Sequence, residues 1–164
     1  MKDLFTKQKT KRVLLYALYM LVVLLTQNIL LCEVRPMGVC PMFLPAVAVA
    51  VGMFEGATWG TVFSMILGLF ADMAYVENTV MFTILLPALA FGAGFVSQFL
   101  INRRFFAYMG ASLAALLIGG AVQMLGVAVK EGISTVMIST ALLQAIWALP
   151  LAAAVYLPPA RWIE

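Results

Sequence analysis

Charge-free runs dominate this chain. Its ten basic and seven acidic residues leave uninterrupted uncharged stretches at 13–32, 36–54, 56–71, 78–102, 105–129 and 132–160. A membrane-spanning helix needs about 20 apolar residues to cross a hydrocarbon core about 30 Å thick. A soluble domain carries about 25% charged residues and a bounded apolar core. Here 65% of 164 residues are hydrophobic, 10% are charged and mean hydropathy is +1.07. Disorder is excluded by the same figures. The expected fold class is an all-α integral membrane protein forming one polytopic domain over 1–164, with short connections that make successive helices antiparallel neighbours.

Helices are predicted near 13–31, 41–54, 57–76, 79–101, 106–129 and 134–157, after a basic cytoplasmic N-terminus at 1–12. The second is short, roughly 21 Å at 1.5 Å per residue. Pro41 suits its first turn. It reads either as a thin span or as a re-entrant segment buried in protein. Charge bias favours the span. With six spans and both termini inside, Lys2, Lys7, Lys9, Lys11, Arg12, Arg103, Arg104 and Arg161 are cytoplasmic and only Arg35 and Lys130 are external. A second segment that failed to cross would leave six inside and four outside, a poorer fit to the positive-inside bias. The run at 13–31 is long for a signal-peptide core, and Cys32, Glu33 and Val34 follow it instead of a small-x-small site. It is expected to be a retained span.

The net charge of +3 comes from the basic N-terminus, where five of ten basic residues lie within the first twelve positions. That is an anchor against an anionic leaflet, not a nucleic-acid surface. No histidine is present, which removes the commonest general base and metal ligand. No His-Glu-x-x-His, Gly-x-Ser-x-Gly or Walker sequence occurs. No catalytic, cofactor-binding or metal-binding residues are expected.

A period-four ladder of small residues, Gly52, Gly56, Gly60, Ser64 and Gly68, leads to Asp72. Such a stripe lets two helix backbones approach closely. It serves packing within the bundle or forms a groove for a partner's helix. A second ladder is Ala111, Ala115, Gly119 and Gln123. Asp72 lies inside a span, where an ionised group costs about 2.5–3.5 kcal/mol on insertion scales. It must face protein or a wet cavity. Its roles divide between a coupling, proton or ligand site and a carboxylate bonded to neighbouring helices. Glu55 falls at an inner turn, where the positive end of the third helix favours it. Gln27, Asn28, Gln98, Gln123 and Gln144 either cross-link helices or line a polar pocket. Cys32 and Cys40 share one external loop, where they are bridged or remain two buried thiols.

The stretch Gly56-Ala-Thr-Trp-Gly60 followed by Gly68-Leu-Phe-Ala-Asp72, with the overall length and six apolar segments, resembles MreD, the small membrane subunit of the bacterial rod-shape machinery. MreD sequences similarly carry a glycine-punctuated helix ending in Gly-x-x-x-Asp before a short polar turn. Many of them add a basic C-terminal tail, where this chain has only Arg161 after the last span. The resemblance implies a bundle similar to the S components of energy-coupling-factor vitamin transporters and a non-enzymatic role in the bacterial cytoplasmic membrane. It also implies an MreC-like single-span partner, within an assembly that includes MreB, RodA and a class-B penicillin-binding protein. Gly56, Gly60, Ser64, Gly68 and Asp72 are the candidate packing or partner-binding residues. The competing expectation is a vitamin-binding S component, with Asp72, Glu77, Asn78 and Gln123 lining its pocket. Against that, Ala17 is followed at a four-residue spacing by Leu21 rather than alanine.

Overall fold

The structure is a computed structural model that describes residues 2–31, 41–74, 80–99, 105–131 and 135–163. Among them it is all helical. The elements are α1 (Lys2–Leu25, continued by a π-helical turn Thr26–Leu31), α2 (Leu44–Glu55), α3 (Ala57–Ala74), α4 (Met81–Phe99), α5 (Phe105–Glu131) and α6 (Thr135–Ile163). Ala57–Ala74, Phe105–Leu125 and Ile138–Tyr156 are long and apolar enough to cross a membrane; Val13–Ile29, Leu44–Glu55 and Met81–Ser97 are apolar but shorter.

Two boundaries differ from expectation for identifiable reasons. Helix α1 starts at Lys2 rather than near 13, because the basic segment contains lysine, glutamine and arginine and neither glycine nor proline to stop it. Helix α2 starts at Leu44, so its first-turn proline is Pro45 and not Pro41.

Helix α2 is the axis of the molecule. Every residue from 41 to 54 is buried, as expected of a helix apolar on all sides. Helices α3, α4, α5 and α6 all pack against it. The alternation Ala46-Val-Ala-Val-Ala-Val51 makes this possible: narrow side chains keep the helix slim enough for four neighbours to close around it. Helices α3 and α4 form one closely packed pair and α5 and α6 another. Helix α1 lies outside, held by one stripe: Tyr19 and Val23 reach the core, with Tyr16, Met20 and Leu24 packed against it.

Cross-helix contacts give the direction of each element. Gln27, in the π-helical turn after α1, meets Pro41 and Phe43 ahead of α2, whereas Tyr16, about three turns earlier in α1, meets Glu55 at the end of α2. Helix α2 thus runs back along α1 from one end to the other. Asp72, late in α3, meets Phe82 and Thr83 at the start of α4. Phe105 packs on Tyr156, while Gln123 meets Gln144, so α6 returns along α5. The chain reverses direction at every connection.

The small-residue ladder lies inside this body. The buried face of α3 is Gly60, Phe63, Ser64, Leu67, Gly68 and Ala71. A Cβ built on Gly60 would fall on the Cα of Gly52, and one on Gly52 would fall on the carbonyl oxygen of Ala90. At the other end of α3, a Cβ on Gly68 would lie 2.8 Å from the carbonyl carbon of Phe82 and 2.9 Å from the Cα of Thr83. Backbones of α2 and α4 already occupy the space a partner's helix would need. Gly56 is not on this face. It is the turn between α2 and α3, at φ 92 and ψ 168, a conformation essentially restricted to glycine.

Candidate functional site

Polar side chains within the bundle bind the helices to one another. Asp72 sits one turn beyond Gly68, where α3 and α4 touch. Its Oδ1 accepts the N–H of Phe82 at 3.1 Å, and its Oδ2 accepts the N–H of Thr83 at 2.8 Å and the Thr83 hydroxyl at 2.6 Å. The first amides of a helix have no partner within it. The carboxylate therefore caps α4 from a neighbouring helix and meets the positive end of its dipole.

Gln27 makes an equivalent joint at the head of α2. Its Nε2 donates to the Pro41 carbonyl at 3.0 Å and its Oε1 accepts the Phe43 N–H at 3.2 Å. The π-helical turn carries this buried amide onto the incoming chain. The Tyr108 hydroxyl lies 2.9 Å from the Ala152 carbonyl and 3.4 Å from that of Ala46, tying α5, α6 and α2 together. Gln144 donates to Gln123 at 3.5 Å, and Gln123 Nε2 approaches the Met42 sulfur at 3.1 Å. Of the residues suggested for a vitamin pocket, Asp72 serves the α3–α4 joint and Gln123 the α5–α6 joint. Glu77 and Asn78 lie outside the described residues, as do Cys32 and Cys40 of the suggested disulfide.

The concave feature of the surface is elsewhere. Helices α1 and α3 touch where Tyr16 and Tyr19 meet Phe63, and beside that contact they leave a groove of about 850 Å³. Ala17, Leu21 and Leu25 form one wall, Trp59, Val62 and Ile66 the other, and Val51 of α2 the floor. Its outer lips are exposed apolar side chains, among them Trp59 at 65% and Phe70 at 49%. Glu55 and the Tyr16 hydroxyl break the apolar lining at one end and Asn28 at the other. Glu55 stands two residues before α3 begins at Ala57. Its Oε1 accepts the Tyr16 hydroxyl at 2.6 Å, and Tyr16 in turn packs edge-on against Phe63 at 5.9 Å.

The residues singled out from sequence are thus not one site. Gly60, Ser64, Gly68 and Asp72 lie along α3, with Gly60 against Gly52 of α2 and Gly68 and Asp72 against the start of α4; Gly56 shapes a turn, and none of the five lines the groove. Gly94, which meets Ala57 at 2.6 Å from its would-be Cβ, was not singled out from sequence, although Ala90 stands four residues before it on the same helix. The Tyr16–Glu55 pair escaped because 39 residues separate its members. Among the described residues no group of three His, Cys, Asp or Glu side chains converges to hold a metal. No protein family, curated protein or solved structure matches this chain.

Proposed function

We propose that this chain is a non-enzymatic scaffold of the bacterial cell-elongation machinery, an MreD-like protein of the cytoplasmic membrane. In this proposal it binds an MreC-type single-span protein and supports peptidoglycan synthesis beside MreB, RodA and a class-B penicillin-binding protein. The observation that carries it is the apolar groove between α1 and α3, open along the outside of a body in which Asp72 and Gln27 already join its own helices. Helices in a membrane gain little from the hydrophobic effect and associate through close packing. A concave apolar surface offers such packing to one more helix. The six helices are proposed to be six spans with both termini cytoplasmic, supported by the eight-to-two distribution of basic residues and the reversal at every connection.

The test is coexpression with a tagged MreC-type protein, purification in mild detergent, and depletion of this chain in a rod-shaped host. Stoichiometric copurification and rounding of depleted cells support the proposal. A protein that purifies without this partner but with a tightly held small molecule belongs instead with the vitamin-binding S components.

A further inference from the structure

We infer that the groove between α1 and α3 is the seat of a single transmembrane helix that carries a cationic side chain at its cytoplasmic end, placed to pair with Glu55. The inference rests on the scaffold function proposed above and assigns it a surface.

Glu55 is the reason for specifying charge. It is only partly buried and faces a lining that is otherwise almost wholly apolar. It stands between the C-terminal end of α2 and the first turn of α3, so the two helix dipoles act on it in opposite senses. Its hydrogen bond is to a neutral hydroxyl, through Oε1. A carboxylate at the edge of a hydrocarbon phase is costly unless an opposite charge meets it. Lipid chains bring none. A single-span helix does, because basic residues concentrate at the cytoplasmic end of a span. Glu55 lies at that end under the proposed topology, level with Tyr16, which stands one turn beyond Arg12, the last residue of the basic stretch of α1.

Geometry supplies the remaining requirements. From Tyr16, level with Glu55, to Asn28 is twelve residues of α1, roughly 18 Å of helix. The occupant therefore presents its cation at one level and a hydrogen-bonding side chain about twelve residues along, opposite Asn28, with apolar residues between. Ala17 keeps the α1 wall low beside the Glu55 end and lets the incoming backbone come close there. The small-residue stripe of α3 cannot serve as this seat, since α2 and α4 fill it.

The experiment uses the full chain coexpressed with the tagged MreC-type protein. Ala17→Trp fills the groove from an exposed position; Ala114→Trp, on the exposed side of α5, is its matched control. Glu55→Lys and Glu55→Gln probe the charge. Ala17→Trp and Glu55→Lys should each lower partner recovery at least tenfold, as expected for a blocked site and for two like charges brought together, while Ala114→Trp leaves it unchanged. Glu55→Gln, which keeps the Tyr16 contact, should lie between. Replacing the partner's innermost lysine or arginine with glutamate should restore recovery in the Glu55→Lys background. A cysteine at Val62 should cross-link to the partner's span. Undiminished recovery with Ala17→Trp and Glu55→Lys overturns the groove assignment and leaves the scaffold function standing. Cross-linking of Val62→Cys to a second copy of this chain also overturns it, making the groove a homodimer seam. Failure of the wild-type chain to recover the partner removes both the scaffold function and the occupant inferred here.

Discussion

At the residue scale, a few polar side chains decide whether the bundle closes. Asp72 satisfies two backbone amides and a hydroxyl at one point. Asp72→Leu leaves both amides without acceptors beside hydrocarbon, and should cost about 2–3 kcal/mol, the range for charge-assisted bonds plus a lost cap. Asp72→Asn keeps one acceptor oxygen and should cost about half that, since an amide nitrogen must face one of the donors. Thermal unfolding in detergent reads the order; equal melting temperatures for both variants and wild type would rule out the cap. Gln27→Leu should cost about 2–3 kcal/mol by stranding the Pro41 carbonyl and the Phe43 amide. That Asp72 faces protein was legible from sequence, because a carboxylate inside an apolar run has few places to go. Its partner was not. The choice of Phe82 and Thr83 depends on how far α3 runs before α4 begins, which hydropathy does not encode. Glu55 is the opposite case: its place at a turn was visible, and its Tyr16 partner comes from a helix packed against it only in three dimensions.

At the element scale, the close approach of α2, α3 and α4 divides the glycines into two kinds. Gly52, Gly60 and Gly68 face backbone, which cannot move aside as a side chain can. Gly60→Leu or Gly68→Leu should therefore prevent the fold from forming, and even Gly52→Ala should cost more than the about 1–3 kcal/mol of ordinary overpacking. Gly92 and Gly110 have nothing within 4 Å of a built Cβ. Gly92→Ala and Gly110→Ala should be neutral or stabilise by up to about 1 kcal/mol through helix propensity. The monodisperse fraction on size exclusion separates the groups, and tolerance of leucine at position 60 would contradict the packing described. The period-four ladder announced a close helix contact but not its neighbours. Small residues at one spacing suit an internal helix and an external one equally. Gly56 shows the reverse limit: it fits the ladder by number, yet its backbone makes the turn.

At the scale of the whole molecule, six apolar segments were readable from the spacing of charges, because charged groups are confined to their ends. The central place of α2 was not readable. A helix apolar on every side suits a lipid surround and a protein surround alike, and only its shortness hinted at the second. Topology is open to direct measurement. In a chain with Cys32 and Cys40 removed, a cysteine at position 103 should react only with permeant reagents, and one at position 130 with impermeant reagents from outside. External labelling at 103 would refute the six-span arrangement. The buried axis also bears on how the chain is made. Synthesis delivers α2 second, but half of its surroundings, α5 and α6, come off the ribosome last. Until then the nascent chain holds a narrow segment of about 18 Å, at 1.5 Å per residue, that is shorter than the bilayer it must sit in and has two sides uncovered. Its placement has to wait for translation to finish, so chains stopped before Phe105 should be cleared by membrane proteases even though four of the six helices have been made.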